Sequence, residues 1–159
     1  MASLPQLIEE DILALDQSLR EFLSRSDATT ALVIDKGGFL ITHQGDAAAF
    51  DLTTISALAS GAYMANQTIA NLVRETNFDS VYQQGESFSM FATNVDENCL
   101  LLVIFRAQVG VGVVKYYGTA ARERIARQLQ LAQERDPGVG LDLSILNLAD
   151  TSSVFKRRA

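Results

Sequence analysis

The chain has 159 residues, of which 48% are hydrophobic and 20% are charged, and its net charge of -6 corresponds to a sequence pI near 4.7. This length suits one domain, and the composition is too apolar for a disordered chain. The acidic balance argues against a general nucleic-acid-binding protein. No apolar run or leader pattern indicates membrane insertion or export, so we expect a cytoplasmic location.

The first predicted element is an amphipathic helix that ends near Arg25. Ser3 is its predicted N-cap, and Gln6 is placed to complete a capping box with it. The apolar residues recur every three or four positions, which puts them on one helix face. They are Leu4, Ile8, Ile12, Leu15, Leu19, Phe22 and Leu23.

Two β-branched, apolar runs follow, over residues 30–34 and 39–44. They flank Asp35-Lys36-Gly37-Gly38, whose glycines supply the positive φ angles that a tight turn needs. This pattern predicts a β-hairpin. After a short loop, Asp51 is the predicted N-cap of a long helix that extends to about Val73.

The second half of the chain predicts three strands and a helix. Alternating residues indicate strands over 80–84 and 86–93, and the apolar run over 99–105 is typical of a central strand covered on both faces. A helix over about 109–133 carries one apolar stripe, and the proline and glycine that follow end it. We therefore predict a domain over 1–135 and a C-terminal tail over 136–159.

The predicted order of elements is α-β-β-α-β-β-β-α. Strands joined by hairpins are antiparallel, so we predict an α+β fold with helices on the faces of an antiparallel sheet. This order argues against a doubly wound nucleotide-binding fold. Within the tail, the segment 141–148 fits both strand and helix spacing, so its structure stays open.

The predicted second helix is unusual, because none of its 22 residues, 52–73, carries a charge. At about 100° per residue, its expected core face comprises Leu52, Ile55, Leu58, Ala59, Ala62, Ile69 and Val73. Beside this face lies a flank of small or flexible residues, which are Ala57, Gly61, Met64, Ala65 and Thr68. The remaining arc is polar and neutral, and it comprises Ser56, Ser60, Tyr63 and Gln67.

Missing charge is typical of the core of a protein interface, which is also enriched in Tyr and Met. A two-layer domain of this size has too few elements to bury the helix on all sides, so we predict that its outer surface contacts another chain. The alternative is an alanine-rich helix whose neutral arc faces water. Gly61 argues against that alternative, because glycine in mid-helix costs about 1 kcal/mol relative to alanine.

The short strand at 80–84 is a second candidate contact surface. It has no lysine or proline to block pairing at a sheet edge, so it can extend the sheet into a second copy, unless a loop shields it. We predict dimer contacts from this strand and from the neutral arc of the helix. The residues concerned are Ser60, Tyr63, Gln67, Val81, Tyr82 and Gln83.

Residues with catalytic chemistry are sparse. The single histidine, His43, shares a hairpin with Asp35, but no nucleophile accompanies them, and a surface histidine is the simpler interpretation. Cys99 opens the buried strand and has no CxxC partner, so we predict a core residue. We expect that the protein is not an enzyme and that it binds no metal and no cofactor.

Two further patterns have a functional and a structural interpretation. Gly110 and Gly112 lack the remaining residues of a nucleotide-binding loop, so we interpret them as small residues that let the last helix start close to the sheet.

Residues 109–159 hold eight Lys/Arg against five Asp/Glu, whereas residues 1–108 hold five against fourteen. These cations engage an acidic partner or form a solvated face. They include Arg122, Arg124, Arg127, Lys156, Arg157 and Arg158.

Over about residues 4–135, the chain resembles the roadblock family of dynein light chains and its prokaryotic relatives, especially the GTPase-activating component of the mutual gliding system. The resemblance lies in the element order and in three segments: ALVIDKGGFLITHQGD, ISALASGAYMANQTIANLV and LLVIFRAQVGVGVVKYYGTAARERIARQL. It implies a profilin-like, five-stranded antiparallel sheet with helices on both faces. It also implies a homodimer formed through the second helix and the third strand.

The resemblance further implies that the dimer docks a Ras-like small GTPase and stimulates GTP hydrolysis by ordering the GTPase's own residues. The family's partner surface corresponds here to Ala57, Gly61 and Ala65, and the rest of the same flank completes it. Arg74 and Arg106 are candidates for arginine fingers, with structural or solvated roles as the simpler interpretation.

Two alternative functions stay open at this point. One is an adaptor dimer that links other proteins and leaves GTP turnover unchanged. The other is a profilin-like sensor of small molecules, which needs an enclosed cavity with a few convergent polar groups.

Overall fold

The computed structural model describes residues 3–135. This part of the chain forms three helices and five strands, which are α1 (Glu9–Ser26), β1 (Thr30–Asp35), β2 (Leu40–Gly45), α2 (Leu52–Leu72), β3 (Ser80–Gln83), β4 (Phe88–Asn94), β5 (Cys99–Arg106) and α3 (Val111–Glu134). The predicted order of elements and the α+β class are confirmed. The predicted tail at 136–159 lies outside the described residues, so the domain boundary stays a prediction.

The five strands form one antiparallel sheet in the order β2-β1-β5-β4-β3. β5 lies at the centre, as its continuous apolar run predicts, because a strand covered on both faces has no side that needs polar residues. Seven of its eight residues are buried. β2 and β3 form the two edges of the sheet.

The sheet separates two hydrophobic cores. α1 and α3 cover one face, where the predicted stripe of α3 packs against Leu101, Val103 and Phe105 of β5. α2 covers the other face, over Leu100 and Leu102. Because successive side chains of a strand point to opposite faces, one apolar strand supplies both cores. The prediction of helices on both faces is confirmed.

α1 begins later than predicted, at Glu9. The carboxylate of Asp11 accepts a hydrogen bond from the Ile8 backbone N–H at 2.9 Å and thereby caps the helix start. The predicted cap by Ser3 is wrong, because Ser3 lies before the helix and its carbonyl oxygen accepts a hydrogen bond from Asn98 at 3.2 Å. Apolar residues before the helix still pack on the core, so periodicity alone counted them as helical.

Candidate functional site

α2 is the element whose surroundings differ most from the prediction. Its N-cap is confirmed, because the Asp51 carboxylate accepts hydrogen bonds from the Thr54 backbone N–H at 3.2 Å and from the Thr54 hydroxyl at 2.6 Å. The buried face of the helix, however, comprises Leu52, Ser56, Ser60, Tyr63 and Ala70. The predicted core face is therefore wrong for four residues that are exposed, namely Leu58, Ala62, Ile69 and Val73.

The serine hydroxyls on the buried face of α2 keep hydrogen-bond partners inside the chain. The Ser56 hydroxyl donates to the Leu52 carbonyl oxygen at 2.7 Å, and the Ser60 hydroxyl donates to the Lys36 carbonyl oxygen. A buried hydroxyl that keeps a hydrogen bond avoids the desolvation cost that hydropathy assigns to it. Because these serines turn inward, apolar side chains turn outward.

Lys36 connects α2 to two turns at the same end of the sheet. Its ammonium lies 5.6 Å from the centre of the Tyr63 ring and donates to the Asp96 carbonyl oxygen at 2.7 Å, and its backbone N–H donates to the Asn98 carbonyl oxygen at 2.8 Å. Burial lowers the pKa of Lys36 and raises the pKa of Tyr63. Ser60 and Tyr63 are thus enclosed by their own chain, and the prediction that they lie on an outer arc, open to a dimer partner, is wrong.

The outward surface of α2, here called the α2 face, is apolar and uncharged. Five large side chains on it are between 48% and 79% exposed, and they are Leu58, Met64, Ile69, Leu72 and Val73. The predicted partner-binding residues are all exposed on this face as well, and they are Ala57, Gly61, Met64, Ala65 and Thr68. An apolar surface of this kind is typical of a protein contact.

Gly61 lies in the middle of the α2 face. A Cβ atom built on it would have nothing of the described chain within 4 Å, whereas one on Gly38, in the β1–β2 turn with φ of +103°, would lie 3.3 Å from the Cα atom of Ala57. The fold of the described chain therefore requires glycine at position 38 and does not require it at position 61. Glycine costs a helix about 1 kcal/mol relative to alanine, so a close approach from outside the chain is the physical reason we infer for Gly61.

β3 forms one edge of the sheet, as predicted. Tyr82 stacks on Phe105 with 6.2 Å between ring centres and is still 38% exposed. Val81 is half-buried and Gln83 is exposed. Gln67, on α2, is half-buried. These four predicted dimer residues all keep some accessible surface, so they stay candidates for contacts with a second copy.

The other chemical candidates do not assemble into a site. Asp35 accepts a hydrogen bond from the Gly37 backbone N–H within the turn, whereas His43 pairs with Leu32, three residues away along β1. Within residues 3–135, no three His, Cys, Asp or Glu side chains lie close enough to hold a metal ion. In the same range, none of the helices combines the length and apolarity that crossing a bilayer requires.

Both arginine-finger candidates are exposed. Arg74 follows α2 with a left-handed φ of +64°, and the Arg106 guanidinium lies 5.8 Å from the ring centre of Phe88. Gly110 is the N-cap of α3, but neither it nor Gly112 has any atom within 4 Å of an added Cβ. The role predicted for the small size of these glycines is therefore wrong, because no atom of the described chain lies where their side chains would be, although Val109 and Val111 beside them pack against the core.

Cys99 is fully buried, as predicted. Burial, with the nearby carboxylates of Asp96 and Asp35, raises the pKa of its thiol to about 12. Because the thiolate is the reactive form, we expect a maleimide at neutral pH to label the folded protein at least about 100-fold more slowly than the denatured protein. Comparable labelling rates in the two states would show that β5 opens to solvent.

The space between α2 and the sheet is filled by side chains. Buried residues of β1, β5 and α2 meet there, and partly buried residues such as Phe50, Met90 and Ala92 close the margins. A sensor of small molecules would need an enclosed cavity at such a place. The packing under α2 therefore argues against the sensor alternative.

The chain is similar to solved structures over most of its length. It is 28% identical to an MglB with tetrameric arrangement, with a TM-score of 0.76 over 83% of this chain and 99% of that chain. It is also 28% identical to the gliding protein MglB from Thermus thermophilus, with a TM-score of 0.74 over 82% of this chain and 98% of that chain. Profilin II from Acanthamoeba castellanii is 13% identical, and its TM-score of 0.52 over 72% of this chain and 98% of that chain shows a shared fold alone.

A search of curated proteins gives no match. The family model of the Roadblock/LC7 domain matches residues 14–105, from within α1 into β5. This match covers more than half of the chain and confirms the resemblance seen in the sequence. The chain therefore belongs to the Roadblock/LC7 domain family.

Proposed function

We propose that this protein forms a homodimer that binds a Ras-like small GTPase and stimulates its GTP hydrolysis, as a regulator of a gliding-type system. The α2 face carries the proposal, because an exposed, uncharged and apolar helix surface needs a protein partner. The similarity to MglB structures, one of them a tetrameric arrangement, supports both self-association and a role in gliding.

The two kinds of contact use different residues. The β3 edge, with Val81, Tyr82 and Gln83, contacts the second copy, and so does Gln67 of α2. Ser60 and Tyr63 take no part, because both are 3% exposed. The small or flexible outward residues of α2 contact the GTPase, and they are Ala57, Gly61, Met64, Ala65 and Thr68.

The dimer stimulates hydrolysis by positioning the reacting groups of the GTPase. The α2 face is uncharged, so the dimer brings no cation from this surface to the reacting phosphate. It orders the catalytic residues of the GTPase and the attacking water instead. Fixing reacting groups in a productive geometry is by itself a large catalytic effect, and phosphoryl transfer depends mainly on positioning and electrostatics.

Two measurements test the proposal. Sedimentation of the full chain is expected to give twice the chain mass of 17.3 kDa. Mixing the protein with a GTP-loaded Ras-like small GTPase from the same genome is expected to give a complex and faster single-turnover hydrolysis. A monomer, or no complex with any such GTPase, contradicts the proposal. A complex with unchanged hydrolysis supports the adaptor function instead.

A pair of matched variants tests whether the α2 face makes these contacts. Leu58, on this face, is 69% exposed, and Leu13, on α1, is 55% exposed. Leu58→Glu and Leu13→Glu introduce the same charge, but only the first introduces it at the proposed interface. We expect Leu58→Glu alone to weaken GTPase binding, by about tenfold or more. An equal loss in both variants contradicts the assignment.

A further inference from the structure

An open groove of about 160 Å³ lies beside the β3 edge, on the side of the sheet that α3 covers. Its lining combines two cations, three hydroxyl groups and an aromatic ring. The residues are Lys115, Arg122, Ser80, Thr93, Thr119 and Phe91. This groove is separated from the α2 face by the sheet, so an inference drawn from it does not depend on the proposed GTPase function.

The two cations are on one side of α3. Lys115 and Arg122 are seven residues apart, which corresponds to two helical turns and roughly 10 Å along the axis. Neither has a carboxylate partner within 4 Å in the described part of the chain, whereas Arg124, toward α1, is paired with Glu21. The positive charge at the groove is therefore available to a ligand. Asp79 also lines the groove, and its single negative charge is smaller than the combined positive charge of Lys115 and Arg122.

Arg122 is held in place before any ligand arrives. Its Nη1 donates to the hydroxyl oxygen of Thr93 at 3.3 Å, and this hydroxyl donates to the Asp79 carbonyl oxygen at 3.2 Å. Thr93 is only 4% exposed. The Lys115 ammonium lies 5.9 Å from the centre of the Phe91 ring. Side chains ordered in this way lose less entropy on binding.

Lysine and arginine side chains recognise oxyanions, and the guanidinium fork of arginine matches carboxylates and phosphates. The cations supply this recognition, because the Thr93 and Thr119 hydroxyls already donate to the Asp79 and Lys115 carbonyl oxygens. A single small anion would bind near one cation in an open groove, where water competes for it. A peptide segment with several acidic side chains matches the spacing of both cations and adds backbone contacts along the groove. We propose that this groove binds an acidic segment of a protein partner, whose carboxylates contact Lys115 and Arg122.

The test uses a fluorescein-labelled hexaglutamate peptide as the probe and the full chain as the receptor. We expect salt-sensitive binding in fluorescence anisotropy, and we expect Arg122→Gln to lower the affinity by about tenfold. Arg127→Gln is the matched control, because Arg127 is exposed on the same helix but lines a different groove, between α1 and α3. The affinity of the Arg127→Gln variant for the peptide is expected to stay within about twofold of the wild-type value.

Backbone amide shifts of the ¹⁵N-labelled protein locate the bound peptide. Shifts confined to the surroundings of Thr93 and Thr119 support the proposal. No binding of hexaglutamate, equal losses in Arg122→Gln and Arg127→Gln, or the same shifts at the same affinity with inorganic phosphate would each overturn it. The last outcome would identify a small-anion site instead.

Discussion

Gly61→Arg is expected to abolish binding of the Ras-like GTPase, with a loss of about 100-fold or more, because it places an unpaired charge where two backbones meet. The variant keeps its fold, since a side chain at this position meets nothing of its own chain within 4 Å and arginine is a better helix former than glycine. A binding assay with the GTP-loaded GTPase and a thermal melt of the isolated protein separate the two effects.

Two further variants make this prediction specific. Gly61→Ala adds one methyl group, so it should stabilise the isolated chain by roughly 1 kcal/mol and still weaken the complex if another backbone lies against this position. Gly112→Arg is the matched control, because Gly112 is an exposed glycine of α3 with equally open space. GTPase affinity that is unchanged in Gly61→Arg, or lost equally in Gly112→Arg, contradicts the assigned surface.

The order of the elements was predictable because each carries its own local signal. The glycines of the β1–β2 turn, the Asp51 cap and the unbroken apolar run of β5 each depend on neighbouring residues alone. β5 lies at the centre of the sheet because its composition leaves no polar side to expose. The start of α1 was missed because its N-cap is Ile8, which is not a typical N-cap residue, so the local bond from the Ile8 backbone N–H to Asp11 has no familiar sequence signal.

The rotation of α2 shows where a hydropathy pattern is insufficient. Ser60 is buried because the carbonyl oxygen of Lys36, a residue of the β1–β2 turn, accepts its hydrogen bond. Tyr63 is buried in the core between α2 and the sheet, where the ammonium of the same lysine lies over its ring. Neither contact is visible from the spacing along the helix. The missing charge still predicted a surface for a partner, since it does not depend on which side faces the sheet.

The α3 groove could be predicted only in part. The sequence shows an excess of cations after residue 108, and four of those within the described residues have two different surroundings. Arg124 and Arg135 are paired with carboxylates of α1, whereas Lys115 and Arg122 line the groove beside β3. Pairing across such distances depends on how the helices pack, so sequence alone favours a solvated face and does not identify the cations that stay available to an acidic partner.

Asp11→Ala is expected to lower the free energy of unfolding by about 3 kcal/mol, because it removes a buried acceptor that joins the start of α1 to the end of α3. The Asp11 carboxylate is fully buried and accepts hydrogen bonds from Gln128 at 2.8 Å, from the Arg135 guanidinium at 2.8 and 2.9 Å, and from the Ile8 backbone N–H at 2.9 Å. Denaturant unfolding measures the loss. Glu21→Ala is the control, because Glu21 also pairs with an arginine of α3 but is solvent-accessible, and we expect little change from it.

The pH dependence of unfolding distinguishes this charged contact from simple packing. Burial alone would raise the pKa of Asp11, but the hydrogen bonds from Arg135, Ile8 and Gln128 and the charge of Arg135 outweigh it, so the pKa lies below its ordinary value of 3.8. The stabilisation is therefore present above that value and is lost as the pH falls through the lower pKa of the folded protein. The difference in unfolding free energy between wild type and Asp11→Asn should accordingly shrink in acid. A difference that stays constant from neutral pH into acid would mean that the charge of Asp11 contributes nothing and that only its shape matters.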